Sequence, residues 1–341
     1  MSQYAHLSEV DPEIQPLLAA FPPTPDWGTM EATVIQNFFV SQFLPTIMEN
    51  RRPLLPPESA YKVEDLKIPV DGAEMAVRLL TPTPEGAPKD STYPLFYWVH
   101  GGGWMFGNLD SDDFLLRRIC VELQISVVNI EYRLAPQHPF PVGLNDSYEG
   151  LKWAAAHPEA LSASLEKGFI LGGQSSGANY AAAIALRARD DPFFEGRRLT
   201  GQVLQIPHVI HAEAYPEKYK DELLSVEQNK AAPILDRPTL DDYYRRLAVK
   251  PTDLEFSPLL AASHAGLPPT AFQLCGMDPF RDEGFLYAKI LGENGVPTKV
   301  DVYPGVPHGF HLVFAKSAAA IKYDKELNDG IQWLLDGAKT K

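Results

Sequence analysis

The sequence has few cysteines, no long apolar run and no excess of basic residues. Only Cys120 and Cys275 occur in 341 residues, so a disulfide framework is unsupported and we expect two buried free thiols. No apolar run approaches the roughly 18 residues that a membrane-spanning helix needs. The formal net charge of −14 argues against nucleic acid and anionic membrane surfaces as partners, because their phosphates would repel the chain.

Neither end of the sequence carries a recognisable targeting signal. The N-terminal stretch MSQYAHLSEVDPEIQ is acidic and lacks the basic start and apolar segment of a secretory signal. The C-terminal GAKTK is neither a peroxisomal tripeptide nor a lipidation box. The composition, 45% hydrophobic and 22% charged, is typical of a globular protein with an ample core. We therefore expect a cytoplasmic protein.

Most of the chain alternates between strand-like and helix-like segments. The alternating residues on both sides of Asp71-Gly72 indicate a hairpin. Apolar runs predict strands at 94–99, 125–132, 168–173, 201–207, 270–276 and 298–305. Helical patterns lie at 110–122, 144–156, 177–188, 283–294 and 317–336. Apolar strands separated by helices are typical of an α/β fold, with a mostly parallel central sheet and helices on both faces.

Two segments fall outside this alternation. The first spans about 1–55 and contains a helix with two apolar stripes, one of Met30, Val34 and Phe38 and the other of Ile35, Phe39 and Phe43. Pro45 is expected to end or kink that helix. The aromatic face either closes one edge of the core or forms a lid over a site.

The second exception is an insertion at 208–252, which lacks a strand pattern and has helical patterns at 215–228 and 237–249. An insertion of this length beyond the strand ends is placed to act as a lid. The expected organisation is a single domain. Its core spans about 56–207 and 253–341, and its helical cap is formed by about 1–55 and 208–252.

The stretch GFILGGQSSGA carries a nucleophile motif. Gly173-Gln174-Ser175-Ser176-Gly177 satisfies G-x-S-x-G between a predicted strand and a predicted helix, which is the context that makes the motif informative. The glycines allow a sharp turn that exposes the Ser175 hydroxyl, and the helix that follows offers unpaired N–H groups. Ser176 is not expected to be the nucleophile, because it lacks the flanking glycines of the motif. The alternative is a Gly-Ser turn that only caps an ordinary helix.

A serine nucleophile needs a base, because its hydroxyl is a weak nucleophile at neutral pH. His308 follows the last predicted strand in YPGVPHGFH, and His311 is its nearest rival. The base must be oriented by an acid. Asp278 stands closest to the strand end in QLCGMDPFRDEG, whereas Asp282 and Glu283 are better placed to charge the first turn of the next helix.

The remaining histidines offer little chemistry. His208 and His211 can be read as a metal pair, but no third ligand at a recognisable spacing accompanies them. We therefore expect no metal. Surface-like contexts predict solvated side chains for four others, His6, His138, His157 and His264.

Three glycines follow an early strand in PLFYWVHGGGWMFG. A simple turn needs one glycine, and glycine loses more backbone freedom on folding than any other residue, so something must come close to this backbone. Acyl transfer develops an oxyanion that preorganised N–H donors must meet. We expect Gly102, with Gly101 or Gly103, to aim N–H groups at that oxyanion beside the N–H of Ser176. His100 is expected to hold the loop by hydrogen bonding.

These motifs together resemble the hormone-sensitive-lipase-like branch of the α/β-hydrolases, from about Tyr61 onward. The chain order serine, aspartate, histidine is also that of α/β-hydrolases. The resemblance implies an α/β-hydrolase fold with a cap, carboxylesterase activity, a small-molecule ester substrate and neither metal nor organic cofactor. The matching pieces are HGGGW (100–104), EYRLAPQHPFP (131–141), the turn at Ser175, DPFRDEG (278–284) and HGF (308–310).

The sequence departs from the family pattern at four positions. The usual G-D-S-A-G-G is here GQSSGA, with Gln174 in place of an acid, Ser176 in place of Ala and Ala178 in place of Gly. Gln137 stands where Glu usually follows YRLAP. The nucleophile and its glycine frame are intact, so hydrolysis is still expected.

The leading interpretation is a serine carboxylesterase for short- to medium-chain acyl esters, with Ser175, His308 and Asp278 as its triad. A lactonase, an amidase or an acyltransferase would use the same site. A ligand receptor on this fold is the alternative from another class, but such receptors have lost a catalytic residue and this chain has all three. Assembly into a homo-oligomer is left open.

Overall fold

The structure, a computed structural model, describes residues 3–22 and 27–339. A sheet in the order β1-β2-β4-β3-β5-β6-β7-β8 forms its centre. The hairpin β1–β2 turns at Asp71-Gly72, as predicted, and β2 pairs antiparallel with β4, while β3 to β8 are parallel. The strands are β1 Tyr61–Val70, β2 Ala73–Pro82, β3 Leu95–Val99, β4 Ser126–Glu131, β5 Phe169–Gln174, β6 Gly201–Gln205, β7 Thr270–Cys275 and β8 Thr298–Tyr303.

Helices cover both faces of the sheet. They are α1 Gln15–Ala20, α2 Ala32–Phe38, α3 Leu44–Arg51, α4 Asp113–Leu123, α5 Val142–Ala156, α6 Ser176–Asp190, α7 Ser225–Gln228, α8 Arg237–Leu247, α9 Arg281–Glu293, α10 Phe310–Val313 and α11 Ala318–Leu335. Side chains of a strand alternate between faces. In β3, Leu95, Tyr97 and Val99 pack in the cluster that contains α5 and α6, and Phe96 and Trp98 pack with α4 and α11. The predicted α/β architecture is confirmed.

The strand register brings the loops of interest together. Val99 at the end of β3 lies opposite Gly173 in β5, and Cys275 at the end of β7 lies opposite Tyr303 in β8. The carboxyl ends of parallel strands meet at one edge of a sheet. The glycine-rich loop, the G-x-S-x-G turn and the segments with Asp278 and His308 therefore all leave the sheet at that edge.

The two cysteines are placed as expected. Cys120 and Cys275 are buried and free. Burial raises the pKa of the Cys120 thiol to about 12, which makes it unreactive. No helix within residues 3–22 and 27–339 is long and apolar enough to cross a bilayer.

The N-terminal helix is broken where the sequence predicts a kink. A π-helical turn, Phe39–Phe43, separates α2 from α3, and Pro45 lies in the first turn of α3. Proline has no N–H and clashes with the carbonyl one turn earlier, and a wider π turn relieves that clash. The two apolar stripes differ in burial. Ile35 is buried, whereas Val34 and Phe38 are exposed, so the stripe of Ile35 faces the core and the stripe of Val34 and Phe38 faces outward.

The insertion contains less helix than its sequence pattern suggests. The second pattern forms α8, but the first yields only the turn Glu217–Tyr219 and the short α7. The N–H of Leu224 donates to Asp282 at 3.0 Å, and the Ser225 hydroxyl donates to the Pro279 carbonyl at 2.6 Å. Leu224 and Ser225 thus form hydrogen bonds with the segment after β7, and the predicted helix over 215–228 does not form as one continuous helix. Of the predicted cap and core, residues 1–2, 23–26 and 340–341 lie outside the described residues.

Both ends of the insertion are fixed to the core. The Asn179 amide on α6 donates to the carbonyls of His208, at 3.1 Å, and Phe256, at 2.7 Å. At the first end, the buried Glu283 carboxyl of α9 accepts from the Val209 N–H at 3.2 Å and from the Tyr215 hydroxyl at 2.8 Å. Burial raises the pKa of Glu283 to about 8, because its hydrogen bonds only partly offset the loss of water.

The raised pKa of Glu283 predicts a pH-dependent stability. The protonated carboxyl is favoured in the fold, so its contribution is complete below the pKa in the unfolded chain and is lost as the pH rises through about 8. Glu283→Gln imitates the protonated form. Its unfolding free energy should therefore increase relative to wild type between about pH 5 and pH 8, by at most about 1.4 kcal/mol per pH unit, and the difference should level off at higher pH.

Denaturant unfolding at a series of pH values measures this difference. The control is the same substitution at the exposed Glu58, for which the difference from wild type should stay flat. If the Glu283→Gln difference is also independent of pH, the ionisation of Glu283 is not coupled to folding.

Candidate active site

Ser175 stands at a sharp turn between β5 and α6. Its backbone angles, φ 53° and ψ −117°, are ones that a residue with a side chain rarely adopts, and such strain is frequent at functional sites. A Cβ at Gly173 would lie 2.4 Å from the Gly177 backbone, and a Cβ at Gly177 would lie 2.0 Å from the Val99 carbonyl. Close packing of the turn therefore requires both glycines of the motif.

The three residues predicted as a triad form a chain in which His308 lies within hydrogen-bonding distance of both Ser175 and Asp278. The Ser175 Oγ is 2.8 Å from His308 Nε2, and His308 Nδ1 is 2.7 Å from Asp278 Oδ2. Asp278 is buried, and its Oδ1 accepts the N–H of Phe280 at 2.8 Å. This hydrogen bond holds the carboxylate, which in turn fixes the orientation of the imidazole. The arrangement can move a proton between Ser175 and His308.

The other candidates for the base and the acid, His311 and Asp282, have different hydrogen-bond partners. His311 is buried, stacks on Tyr323 with 4.2 Å between ring centres, and has its Nε2 2.5 Å from the Gln174 amide nitrogen. Burial and the nearby Arg51 hold the pKa of His311 well below its usual value, so the ring is neutral and accepts from Gln174. Asp282 accepts from the guanidinium of the neighbouring Arg281 and from the insertion.

The glycine-rich loop folds back on itself. The Gly102 carbonyl accepts the N–H groups of Met105 and Phe106, both at 3.0 Å. The N–H groups of Gly102, Gly103 and Ser176 have no acceptor among the described residues. The loop and Ser175 line the same pocket, so these donors are available to a bound ligand.

The close contacts predicted for this loop come from the protein itself. Gly102 has φ +126°, and a Cβ there would lie 1.9 Å from the Phe106 carbonyl. A Cβ at Gly103 would lie 2.5 Å from the ring of Tyr243 in α8. His100 is buried, and its Nδ1 is 2.7 Å from the Gly101 carbonyl. Burial lowers the pKa of His100 to about 4, so a neutral ring holds the loop, in line with its predicted role.

A mostly apolar pocket lies over Ser175, with a free volume of about 120 Å³. The N-terminal segment contributes Phe39 and Phe43 to its wall, and the insertion contributes Leu235 and Tyr243. Arg246 of α8 also donates to the carbonyl of Met30 at 2.6 Å. The two segments expected to form a cap thus contact each other and the same pocket.

The other histidines are not ligands to a common site. His208 Nε2 is 2.7 Å from the Tyr244 hydroxyl, and His211 Nδ1 accepts the N–H of Glu213 at 3.1 Å. Within the described ranges, no group of three His, Cys, Asp or Glu side chains could hold a metal ion. The expectation of a solvated His264 is wrong. That side chain is buried, edge-on to Tyr287, because its Nε2 finds the Pro258 carbonyl at 3.0 Å.

Comparisons with known proteins show which proteins the chain is similar to. The profile of a family with the alpha/beta hydrolase fold matches residues 96–312. A versiconal hemiacetal acetate esterase of Dothistroma septosporum is 37% identical over 290 residues, which cover 84% of this chain and 85% of that protein. The crystal structure of vibralactone cyclase superposes with a TM-score of 0.94 at 43% identity, covering 98% of this chain and 97% of the other. A bacterial heroin esterase superposes with a TM-score of 0.81 at 27% identity, covering 97% of this chain and 98% of the other.

The fold, the profile match and these relatives define the class of protein. The chain belongs to the α/β-hydrolase fold family, in its hormone-sensitive-lipase-like carboxylesterase branch. It is a carboxylic-ester hydrolase that acts on small-molecule esters.

Proposed function

We propose that the protein is a serine carboxylesterase whose nucleophile is Ser175. The observation that carries this proposal is the chain of hydrogen bonds at 2.8 Å and 2.7 Å from Ser175 through His308 to Asp278. Ser175 attacks the ester carbonyl while His308 takes its proton. His308 then returns the proton to the leaving alcohol, and a water activated by the same imidazole releases the acid. The buried Asp278 carboxylate stabilises the imidazolium form of His308 in each half-reaction.

The oxyanion is proposed to accept hydrogen bonds from the N–H of Ser176 and from the N–H groups of Gly102 and either Gly101 or Gly103. Support comes from the lack of an acceptor for the Gly102, Gly103 and Ser176 donors among the described residues. Donors fixed by the protein need no reorganisation when charge develops, and each is worth about 3–4 kcal/mol of transition-state stabilisation in comparable sites.

The proposed substrates are short- to medium-chain acyl esters. The pocket holds about 120 Å³ of free space beneath the roof of Phe39, Phe43 and Tyr243. Once this space is filled, additional methylenes have no apolar surface to contact. The cytoplasmic location stays a prediction from the sequence, and assembly into a homo-oligomer stays open.

Lactone formation is a second candidate reaction at the same site. The similarity to a protein named vibralactone cyclase, 43% identical over almost the whole chain, favours it over the amidase and acyltransferase alternatives. A hydroxyl on the acyl group would replace water in attacking the acyl-enzyme, its proton passing to His308 and then to the Ser175 oxygen. The product is a lactone, and the steps up to the acyl-enzyme are those of ester hydrolysis.

The triad assignment predicts large and non-additive losses of turnover. Ser175→Ala should lower kcat on a short acyl ester by on the order of 10⁴-fold or more, because no other nucleophile replaces the hydroxyl. His308→Ala should cost about as much, and the double variant little more. Steady-state kinetics on p-nitrophenyl butyrate measure these effects.

Three neighbouring residues provide matched controls for the triad. Ser176→Ala should retain most activity, since only its backbone N–H is proposed to act. Asp282→Asn should cost much less than Asp278→Asn. If His311→Ala abolishes turnover while His308→Ala does not, or if the two aspartates rank in reverse, the triad is misassigned.

The roof predicts a limit on acyl chain length. For p-nitrophenyl esters of two to twelve carbons, kcat/KM should peak within about two to eight carbons and fall beyond. Phe39→Ala enlarges the pocket and should move the peak to longer chains. Phe38→Ala is the control, because Phe38 is 44% exposed and is not part of the pocket wall. Rapid hydrolysis of emulsified long-chain triglyceride by the wild type would contradict the proposed limit.

A further inference from the structure

One wall of the pocket over Ser175 carries a carboxylate that the proposed mechanism does not use. Asp112 lies where the segment after the glycine-rich loop enters α4, and it lines the pocket together with Ser111. The same pocket is also lined by the apolar side chains of Phe39, Phe43 and Ile47. Asp112 is only 3% exposed. A buried acid in an apolar wall requires an explanation.

Hydrogen bonds of the protein satisfy only half of this carboxylate. Asp112 Oδ2 accepts the indole N–H of Trp98 at 2.8 Å. Oδ1 accepts no hydrogen bond from any residue in the described ranges, yet it is not sealed within the protein. Burial raises the pKa of Asp112 to about 6, so the group is mostly ionised above neutral pH.

The neighbouring acids differ from Asp112 because they have a cation. Arg78 pairs with Asp110 at 2.7 Å and with Asp113 at 3.0 Å, and Arg117 also binds Asp113. No arginine or lysine within residues 3–22 and 27–339 forms an ion pair with Asp112. The acids on either side are therefore paired with arginines, whereas the protein leaves one oxygen of Asp112 without a donor.

We propose that Asp112 Oδ1 is a binding point for a hydroxyl group on the substrate, so that the preferred ester carries a hydroxyl on the part that fills this wall. This inference rests on the proposed function, because it assumes that the ester binds in the pocket over Ser175. A substrate hydroxyl supplies the donor that Oδ1 lacks. A hydrogen bond between a hydroxyl and a carboxylate is also stronger than one between neutral groups.

A hydroxyl fits the site better than an ammonium group does. Moving an ammonium ion from water into an apolar pocket carries a desolvation cost that one carboxylate repays only with excellent geometry. A hydroxyl loses less on leaving water. The site thus selects for a neutral donor, and an ester with an amine in the same position should be a poorer substrate than the hydroxylated ester.

Matched esters test the inference in the wild-type enzyme. The acyl side is probed with methyl 3-hydroxyhexanoate and methyl 6-hydroxyhexanoate against methyl hexanoate, and the alcohol side with 6-hydroxyhexyl acetate against hexyl acetate. For at least one pair, kcat/KM should be about tenfold higher for the hydroxylated ester. In an apolar pocket without an acceptor the hydroxylated ester would be the poorer substrate, so ratios of one or below for every pair overturn the inference. A higher kcat/KM for 6-aminohexyl acetate than for 6-hydroxyhexyl acetate overturns the choice of a hydroxyl.

The variant Asp112→Asn probes the carboxylate itself. Its amide oxygen can keep the bond to Trp98, which turns the amide N–H₂ toward the position of Oδ1 and replaces an acceptor by a donor. The preference for the hydroxylated ester should therefore fall to one or below. Asp110→Asn, the same change two residues away and outside the pocket wall, should keep the wild-type ratio. If the Asp112→Asn ratio stays at the wild-type value, Asp112 is not the binding point. If this variant does not fold, the wild-type ratios decide.

The plain esters separate this inference from the proposed function. Their hydrolysis by wild type and its loss in Ser175→Ala support the esterase assignment, whatever the hydroxyl preference. If no ester is hydrolysed, the proposed function fails and the inference fails with it.

Discussion

The close packing of the turn at Ser175 against the end of β3 is the constraint on which the site depends. The parallel register places Val99 opposite Gly173, and the backbone of Gly177 approaches the Val99 carbonyl so closely that a Cβ would lie 2.0 Å from it. This contact brings the start of α6 beside the strand that leads into the glycine-rich loop. Donors from two distant parts of the chain can then face one reacting carbonyl, and no metal is needed for the proposed chemistry.

A second contact connects the N-terminal segment to the loop that carries His308, the proposed base. Arg51 at the end of α3 is fully buried, pairs with Asp324 of α11 and donates to the carbonyl of His311. Removing one partner of a buried pair typically costs 3–5 kcal/mol. The segment that supplies Phe43 to the pocket is therefore fixed to the region beside His308, and the shape of the pocket depends on that attachment.

Sequence reasoning located the strands to within about two residues, because buried parallel strands are continuous apolar runs bounded by turn residues. It also named the residues that the structure brings together at Ser175, since each follows a strand end. It missed the half-satisfied carboxylate of Asp112 and the buried Glu283, and it placed His264 on the surface. Each of these depends on contacts between residues far apart in the chain, which local pattern does not encode. The shortened helix at 215–228 has the same cause, a hydrogen bond from Leu224 to a distant carboxylate.

Covalent labelling of the nucleophile tests the central claim most directly. A fluorophosphonate ester reacts with an activated serine, forming an Oγ–P bond and expelling fluoride. Intact-mass and peptide mass spectrometry should find one adduct per chain, on Ser175, which is lost in Ser175→Ala and forms far more slowly in His308→Ala. An adduct on Ser176 or on another residue, or a labelling rate that His308→Ala leaves unchanged, would contradict the account.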